Sequence, residues 1–213
     1  MTSFRETLRI QRWDDHRYYH HSLVNQSLHL LSAVTFLCAY VLMFKDPALA
    51  ALIGWLIAMA SRQTGHFFFE PRDYDVVNQA TDEYKEAIKV GYNIRRKIVL
   101  MAIWAASPAV LLLDPTMLGL VRAPVTWLQY ARHLGYLWLV VGVSGLLFRT
   151  IQLFIIRDYV TGLAWMTKIL TDPFNDATLY RRAPLQLIRG GLIARTLAAA
   201  AAEADDEPVE MPQ

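Results

Sequence analysis

The sequence predicts an all-α fold: a polytopic membrane helical bundle of about four transmembrane helices with interfacial helices attached. Three observations carry this. Of the 213 residues, 54% are hydrophobic and only 19% charged, where soluble domains carry about 25% charged residues; mean hydropathy is +0.24. Residues 22–44 contain no Asp, Glu, Lys or Arg, and a helix needs about 20 apolar residues to cross the hydrocarbon. Basic residues, finally, are concentrated in alternate connecting segments, as the positive-inside rule requires of a multi-span chain.

The elements follow in order. The N-terminal segment mixes Arg5, Arg9, Arg12 and Arg17 with Glu6, Asp14 and Asp15, so it has no apolar core and does not read as a cleaved signal peptide. Residues 22–44 form the first span. After the Lys45-Asp46-Pro47 break, residues 48–69 give a second, with Arg62 able to reach an interface. Residues 71–97 are polar, and the spacing of Val76, Val77, Ala80, Tyr84, Ala87 and Ile88 predicts an amphipathic helix at the water boundary. The third span covers about 98–113 and the fourth about 134–156, the latter interrupted by Arg149.

With a cytoplasmic N-terminus, the inner segments hold the four N-terminal arginines, Arg72, Lys85, Lys89, the Arg95-Arg96-Lys97 run and all basic residues from Arg157 to Arg195. The outer loops hold only Lys45, Arg122 and Arg132. Both termini are therefore expected in the cytoplasm, in a bacterial inner membrane. Arg95-Arg96-Lys97 reads as a membrane-edge anchor. Helices are expected over 159–170 and 185–202, the second weakened by Gly190-Gly191. This divides the chain into a membrane-embedded domain (1–170), a basic interfacial region (171–202) and an acidic, disordered tail (203–213).

Charge and cysteine content remove several function classes. Twenty-one Lys and Arg balance 19 Asp and Glu, so bulk electrostatics give no reason to expect a nucleic-acid partner. The single cysteine, Cys38, rules out an intramolecular disulfide and any CxxC metal site. Nothing in the sequence fixes an oligomeric state.

Histidine is distributed unlike the rest. Five of the six histidines lie in the first hairpin: His16, His20, His21 and His29 around the start of span one, and His66 at the end of span two. Those two ends share one side of the membrane. Imidazoles near a carboxylate form the ligand set of non-haem Fe(II) oxygenases and of some zinc enzymes. His66 and Glu70 are four residues apart and share a helical face, as do Asn25 and His29. His20 and His29 are nine apart, about half a turn out of phase, so they meet only if the chain bends within 18–24. His21, in phase with Asn25 and His29, is the geometric competitor. His133 is alone in an outer loop.

These residues also carry a family resemblance. Tyr19-His20-His21-Ser22-Leu23-Val24-Asn25-Gln26-Ser27-Leu28-His29, followed by a span and then Gln63-Thr64-Gly65-His66-Phe67-Phe68-Phe69-Glu70, resembles the paired motifs Y-H-x(4)-N-x(3)-H and Q-x-G-H-x-x-F-E of the fungal 2-hydroxy fatty acid dioxygenases and their bacterial relatives. The match covers about the first third of the chain. It departs at Ser22-Leu23, where the family has Asn-Pro, and after Glu70. The resemblance implies an Fe(II)-dependent membrane enzyme that uses O2 to shorten a 2-hydroxy fatty acid by one carbon. It places His20, Asn25, His29, Gln63, His66 and Glu70 at the family's motif positions, with His20 rather than His21 as the first histidine.

On this basis the expected metal ligands are His20, His29 and His66, with His21 as the alternative. Glu70 is a ligand or an orienter, Asn25 and Gln63 support catalysis, and Arg62 and Tyr19 face the substrate. The partners are a fatty acyl substrate, O2 and the membrane. Competing readings are a di-iron hydroxylase, whose histidine boxes need more than the six available, a zinc amidohydrolase acting on lipids, a haem protein with His29 and His66 as axial ligands, and an assembly factor.

Overall fold

The computed structural model describes residues 3–70, 74–75, 78–92 and 94–191. The fold is an all-α bundle in the order α1 (Phe4–Tyr19), α2 (Leu23–Met43), α3 (Pro47–Ile53), a π-helical segment (Gly54–Met59), α4 (Ala60–Phe68), α5 (Asp82–Ile88), α6 (Ile94–Leu113), α7 (Trp127–Ile156), α8 (Tyr159–Leu179) and α9 (Ala183–Ile188). Among the described residues, three helical stretches are long and apolar enough to cross a membrane: Leu23–Met43, Arg95–Leu113 and Trp127–Ile156.

Local chemistry sets many of the boundaries. Ser3, Ser22, Asp46, Thr81, Thr126 and Asp158 each cap a helix by accepting a hydrogen bond from a backbone N–H two or three residues on, satisfying donors that a helix start leaves unpaired. Pro47 follows its cap at the first turn, where its missing N–H costs nothing. Pro108 sits inside α6 and cannot donate to the Trp104 carbonyl. The Ser107 hydroxyl donates to that carbonyl instead, at 2.5 Å, and itself accepts from Trp138 Nε1 at 2.7 Å. A freed carbonyl inside a bilayer has no water to turn to, so such a substitute is needed.

The expected second span is one continuous helical rod over 47–68, but not a uniform α-helix. In its middle, the Ala60 N–H reaches back five residues to the Trp55 carbonyl, which widens the turn. This rod packs against α2 on one side and α7 on the other. At the α7 contact, a Cβ on Gly135 would lie 2.3 Å from the Ala48 carbonyl oxygen, so only glycine allows this approach.

The third and fourth spans begin earlier than their hydropathy indicates. α6 takes in the Arg95-Arg96-Lys97 run, and α7 is 30 residues long, about 45 Å, which exceeds the roughly 30 Å hydrocarbon core. Arg149 is buried near the end of α7 because it holds the 90–91 linker. It donates to the Val90 carbonyl at 2.6 Å, to the Gly91 carbonyl at 3.2 Å and to Gln152 Oε1 at 2.6 Å.

Elsewhere the expected elements shift. Of the amphipathic helix expected between the hairpins, the described residues form the short Asp82–Ile88, which follows a bridge between Asp75 and Ala80, while residues from 94 on belong to α6. α8 runs through residue 170 without a break. The helix expected from 185 is the short Ala183–Ile188, ended where Gly190 adopts a φ of +87°. The rest of that helix and the acidic tail lie outside the described residues.

Candidate metal centre

The break between α1 and α2 creates the site. α1 ends at Tyr19, His20 leaves the helix with φ −115° and ψ 46°, and α2 restarts at Leu23 under the Ser22 cap. Two side chains one turn into α2 hold the bend: Asn25 Nδ2 donates to the Tyr19 carbonyl at 2.9 Å, and Gln26 Nε2 to the His20 carbonyl at 2.8 Å. The out-of-phase pair His20 and His29 is thereby folded together, with ring centroids 4.0 Å apart.

α4 adds the third imidazole. It approaches α2 closely because residue 65 is glycine; a Cβ there would lie 2.2 Å from Asn25 Oδ1 and 3.4 Å from His29 Cδ2. His66, the next residue, places its ring 4.9 Å from His29 and 5.8 Å from His20. All three histidines are buried, and one nitrogen from each lies within 4.8 Å of the others. A buried triad able to coordinate a metal ion thus sits within a membrane helical bundle.

Each ring is prepared differently. His66 Nδ1 pairs with Glu70 Oε1, which leaves Nε2 as the nitrogen for a metal and reproduces the carboxylate-histidine-metal relation of many metal sites. His20 Nδ1 pairs with the Tyr180 hydroxyl at 2.7 Å, and that hydroxyl also meets His16 Nδ1 at 3.1 Å. If Tyr180 gives its proton to His16, its oxygen accepts from His20 Nδ1 and all three groups are satisfied. His20 Nε2 is then a free lone pair. Burial, reinforced by neighbouring His29, holds the His20 pKa well below its ordinary value, and burial also lowers that of His16; both rings stay neutral, as a ligand and an acceptor must. His29 has no hydrogen bond at either nitrogen, its nearest carboxylate oxygen being Asp176 Oδ2 at 3.6 Å from Nδ1.

The chemistry of these donors fits a metal. Buried polar atoms are nearly always paired, yet His20 Nε2, both His29 nitrogens, Asn25 Oδ1 and Gln63 Oε1 are buried without a partner. Three of these atoms belong to the triad itself, and Asn25 Oδ1 lies against Gly65, next to His66. Three converging imidazoles suit Fe(II), Zn(II) or related ions alike.

Two expected residues are engaged by other partners. His21 is corrected as a ligand: once the helix breaks at His20, its Nε2 turns to the Arg17 carbonyl and lies 3.5 Å from Asp75 Oδ2. Arg62, expected to meet a substrate carboxylate, is taken up by Asp172 and Asp176, each at 3.3 Å. Tyr19 borders the cavity described next, but its hydroxyl donates to the Lys85 carbonyl at 2.8 Å. Gln63 Nε2 contacts Met59 Sδ at 3.3 Å.

The site's largest surprise is α8. Lys168, Asp172, Asp176 and Tyr180 recur every four residues and are all buried, whereas Leu163, Leu170 and Phe174 on the same helix are exposed. This reverses the usual amphipathic arrangement of a soluble helix. Lys168 Nζ bonds Asp15 Oδ2 at 2.8 Å and Asp172 Oδ2 at 2.9 Å. Burial alone would lower the Lys168 pKa, but the two carboxylates raise it above its ordinary value. The four-residue repeat is visible in the sequence; its burial depends on partners more than 100 positions away.

A cavity of about 370 Å³ adjoins the site, with His66, Gln63 and Arg62 at its polar end and Phe36, Trp55, Met59, Met101 and Trp138 among its apolar walls. Its volume lies in the range of small-molecule sites. No family model, no curated protein and no solved structure matches the chain, so function must be argued from the site's own geometry.

Proposed function

We propose that the protein is an Fe(II)-dependent membrane dioxygenase that shortens a 2-hydroxy fatty acid by one carbon. One observation supports this reading: three buried imidazoles, with His20 Nε2 and both His29 nitrogens unpaired, gather beside a largely apolar cavity that His66 lines. In a balanced reaction, R–CHOH–COOH and O2 give R–COOH, CO2 and water; the C1–C2 bond breaks, the substrate is oxidised and O2 reduced. His20, His29 and His66 would hold the metal, and a bound Fe(II) with open positions would supply the means to activate O2 beside the substrate.

The chain's own groups do the rest. Glu70 fixes the His66 ring by accepting from Nδ1, and Tyr180 does the same for His20. Asn25 holds the bend that brings His20 to His29, and Gln63, which lines the cavity with its Oε1 unpaired, accepts a hydrogen bond from a substrate hydroxyl or a water. The apolar walls take the acyl chain and exclude bulk water, which accounts for a membrane location. The gathering of basic segments on the histidine side supports a cytoplasmic face for this chemistry.

The test combines metal analysis with O2 uptake by the purified protein. One non-haem iron per chain, with O2 consumption and a product one carbon shorter on adding 2-hydroxypalmitate, is the expected result. A Soret band, or one zinc per chain with no O2 uptake, overturns it in favour of a haem protein or a hydrolase.

A further inference from the structure

The charged residues that line the cavity are Asp14, Asp15, Arg62, Lys89, Lys97 and Lys168, and all but one are hydrogen-bonded to an opposite charge. Asp14 pairs with Arg17 at 2.7 Å, Asp15 with Lys168 at 2.8 Å, Arg62 with Asp172 and Asp176, and Lys89 with Glu86 at 3.2 Å. Lys97 differs. Its side chain is 13% exposed, and its ion contact is Glu70 Oε1 at 3.8 Å, beyond hydrogen-bond reach. That same oxygen is already committed to His66 Nδ1. Among the described residues Lys97 makes no hydrogen bond, so an ammonium with three donors faces the cavity unspent.

Its neighbours underline the choice. In the Arg95-Arg96-Lys97 run, Arg95 and Arg96 are exposed and only Lys97 turns inward. Burying an ammonium whose donors make no hydrogen bond is costly, and an anionic ligand within bonding distance offsets that cost. The cavity is extended along the second rod. Its lining positions there run from Ala50 to His66, 16 positions apart or about 24 Å of helix, most of the roughly 30 Å hydrocarbon thickness.

We infer that Lys97 is the carboxylate anchor of a long-chain fatty acid whose chain lies along the apolar cavity, holding the head of the acid beside His66. This rests on the fatty acid chemistry proposed above and assigns to Lys97 the role that the sequence suggested for Arg62. Charge-assisted hydrogen bonds of this kind are worth about tenfold or more in affinity.

Binding of palmitic acid, hexadecanol and hexadecyl phosphate to the full-length protein in detergent micelles tests this, alongside metal content and O2 uptake. The wild type is expected to prefer palmitic acid over hexadecanol by about tenfold or more. Lys97→Met should lose that preference while binding hexadecanol as before, and Lys97→Arg should keep it. An unchanged preference in Lys97→Met overturns the assignment, and so does tighter Lys97-dependent binding of hexadecyl phosphate than of palmitic acid. The two readings fail separately. Lys97-dependent acid binding without O2 uptake on 2-hydroxypalmitate refutes the dioxygenase and leaves the anchor standing. O2 uptake with a Lys97-independent acid preference does the reverse.

Discussion

Two buried polar clusters lie side by side in this bundle, and they are built on opposite principles. Around Arg62, Lys168, Asp15, Asp172 and Asp176, each charge has an opposite charge within 3.3 Å. Around His20, His29 and His66, nitrogens are left buried and unpaired. Both carry the desolvation cost of polar groups in an apolar setting. The first offsets it internally and joins α1, α4 and α8; the second leaves it unmet, as a site does when part of its bonding comes from a ligand. Asp176 stands at the border, held by Arg62 and 3.6 Å from His29.

The largest effect that would break this contrast is on the metal. His29→Ala should bring metal content down to background while the protein still purifies as a folded helical species; retention of wild-type metal would show that the unpaired nitrogens have no ligand to hold. Next comes the paired cluster. Asp172→Asn leaves Arg62 and Lys168 short of a counter-charge in a buried place and should lower unfolding stability by about 3–5 kcal/mol, measured by denaturation in detergent, with the folded fraction still binding metal. If that variant lost metal but not stability, the division between the two clusters would be wrong.

Smaller effects sharpen it. Tyr180→Phe removes the hydroxyl that orients His20 and should weaken metal affinity by about 10- to 100-fold in a chelator competition, with little change in unfolding. Asp15 supplies a test by pH. Burial raises its pKa, but the pull of Lys168 overrides this and holds the carboxyl well below the usual carboxylate range. Its folded value thus lies below the unfolded one of about 3.9, so its stabilisation is present above that pH and lost as pH falls through the folded value. Thermal unfolding of wild type and Asp15→Asn should differ at pH 6 and converge as pH drops below about 4.

What could be read from the sequence follows the same division. The histidine cluster was legible because its members sit at span ends and at short helical spacings, and because a nine-residue interval demanded a bend that Asn25 and Gln26 then enforce. The first span was legible from its lack of charge. α8 was not, because Lys168, Asp172 and Asp176 form a stripe that a soluble helix would turn to water. Its burial is decided by Arg62 and Asp15, 110 and 153 positions distant from their partners. The carboxylate partners of Arg62 were hidden for the same reason, and Lys97 was hidden within a run of three cations that hydropathy treats alike.

The π-helical segment at Gly54–Met59 carries a consequence for how this chain can change length. A π turn holds one residue more than an α-helix needs, and each α-helical residue turns the face by about 100°. Deleting one residue there would let the rod become a regular α-helix with its far end kept in phase, so that Arg62 stays on its carboxylates and His66 beside His20 and His29. The same deletion in α4, ahead of His66, has no such slack and would turn His66 away from the other two histidines without removing a ligand from the sequence. The segment, 7 to 12 residues before His66, is where the rod can lose a residue and keep the site.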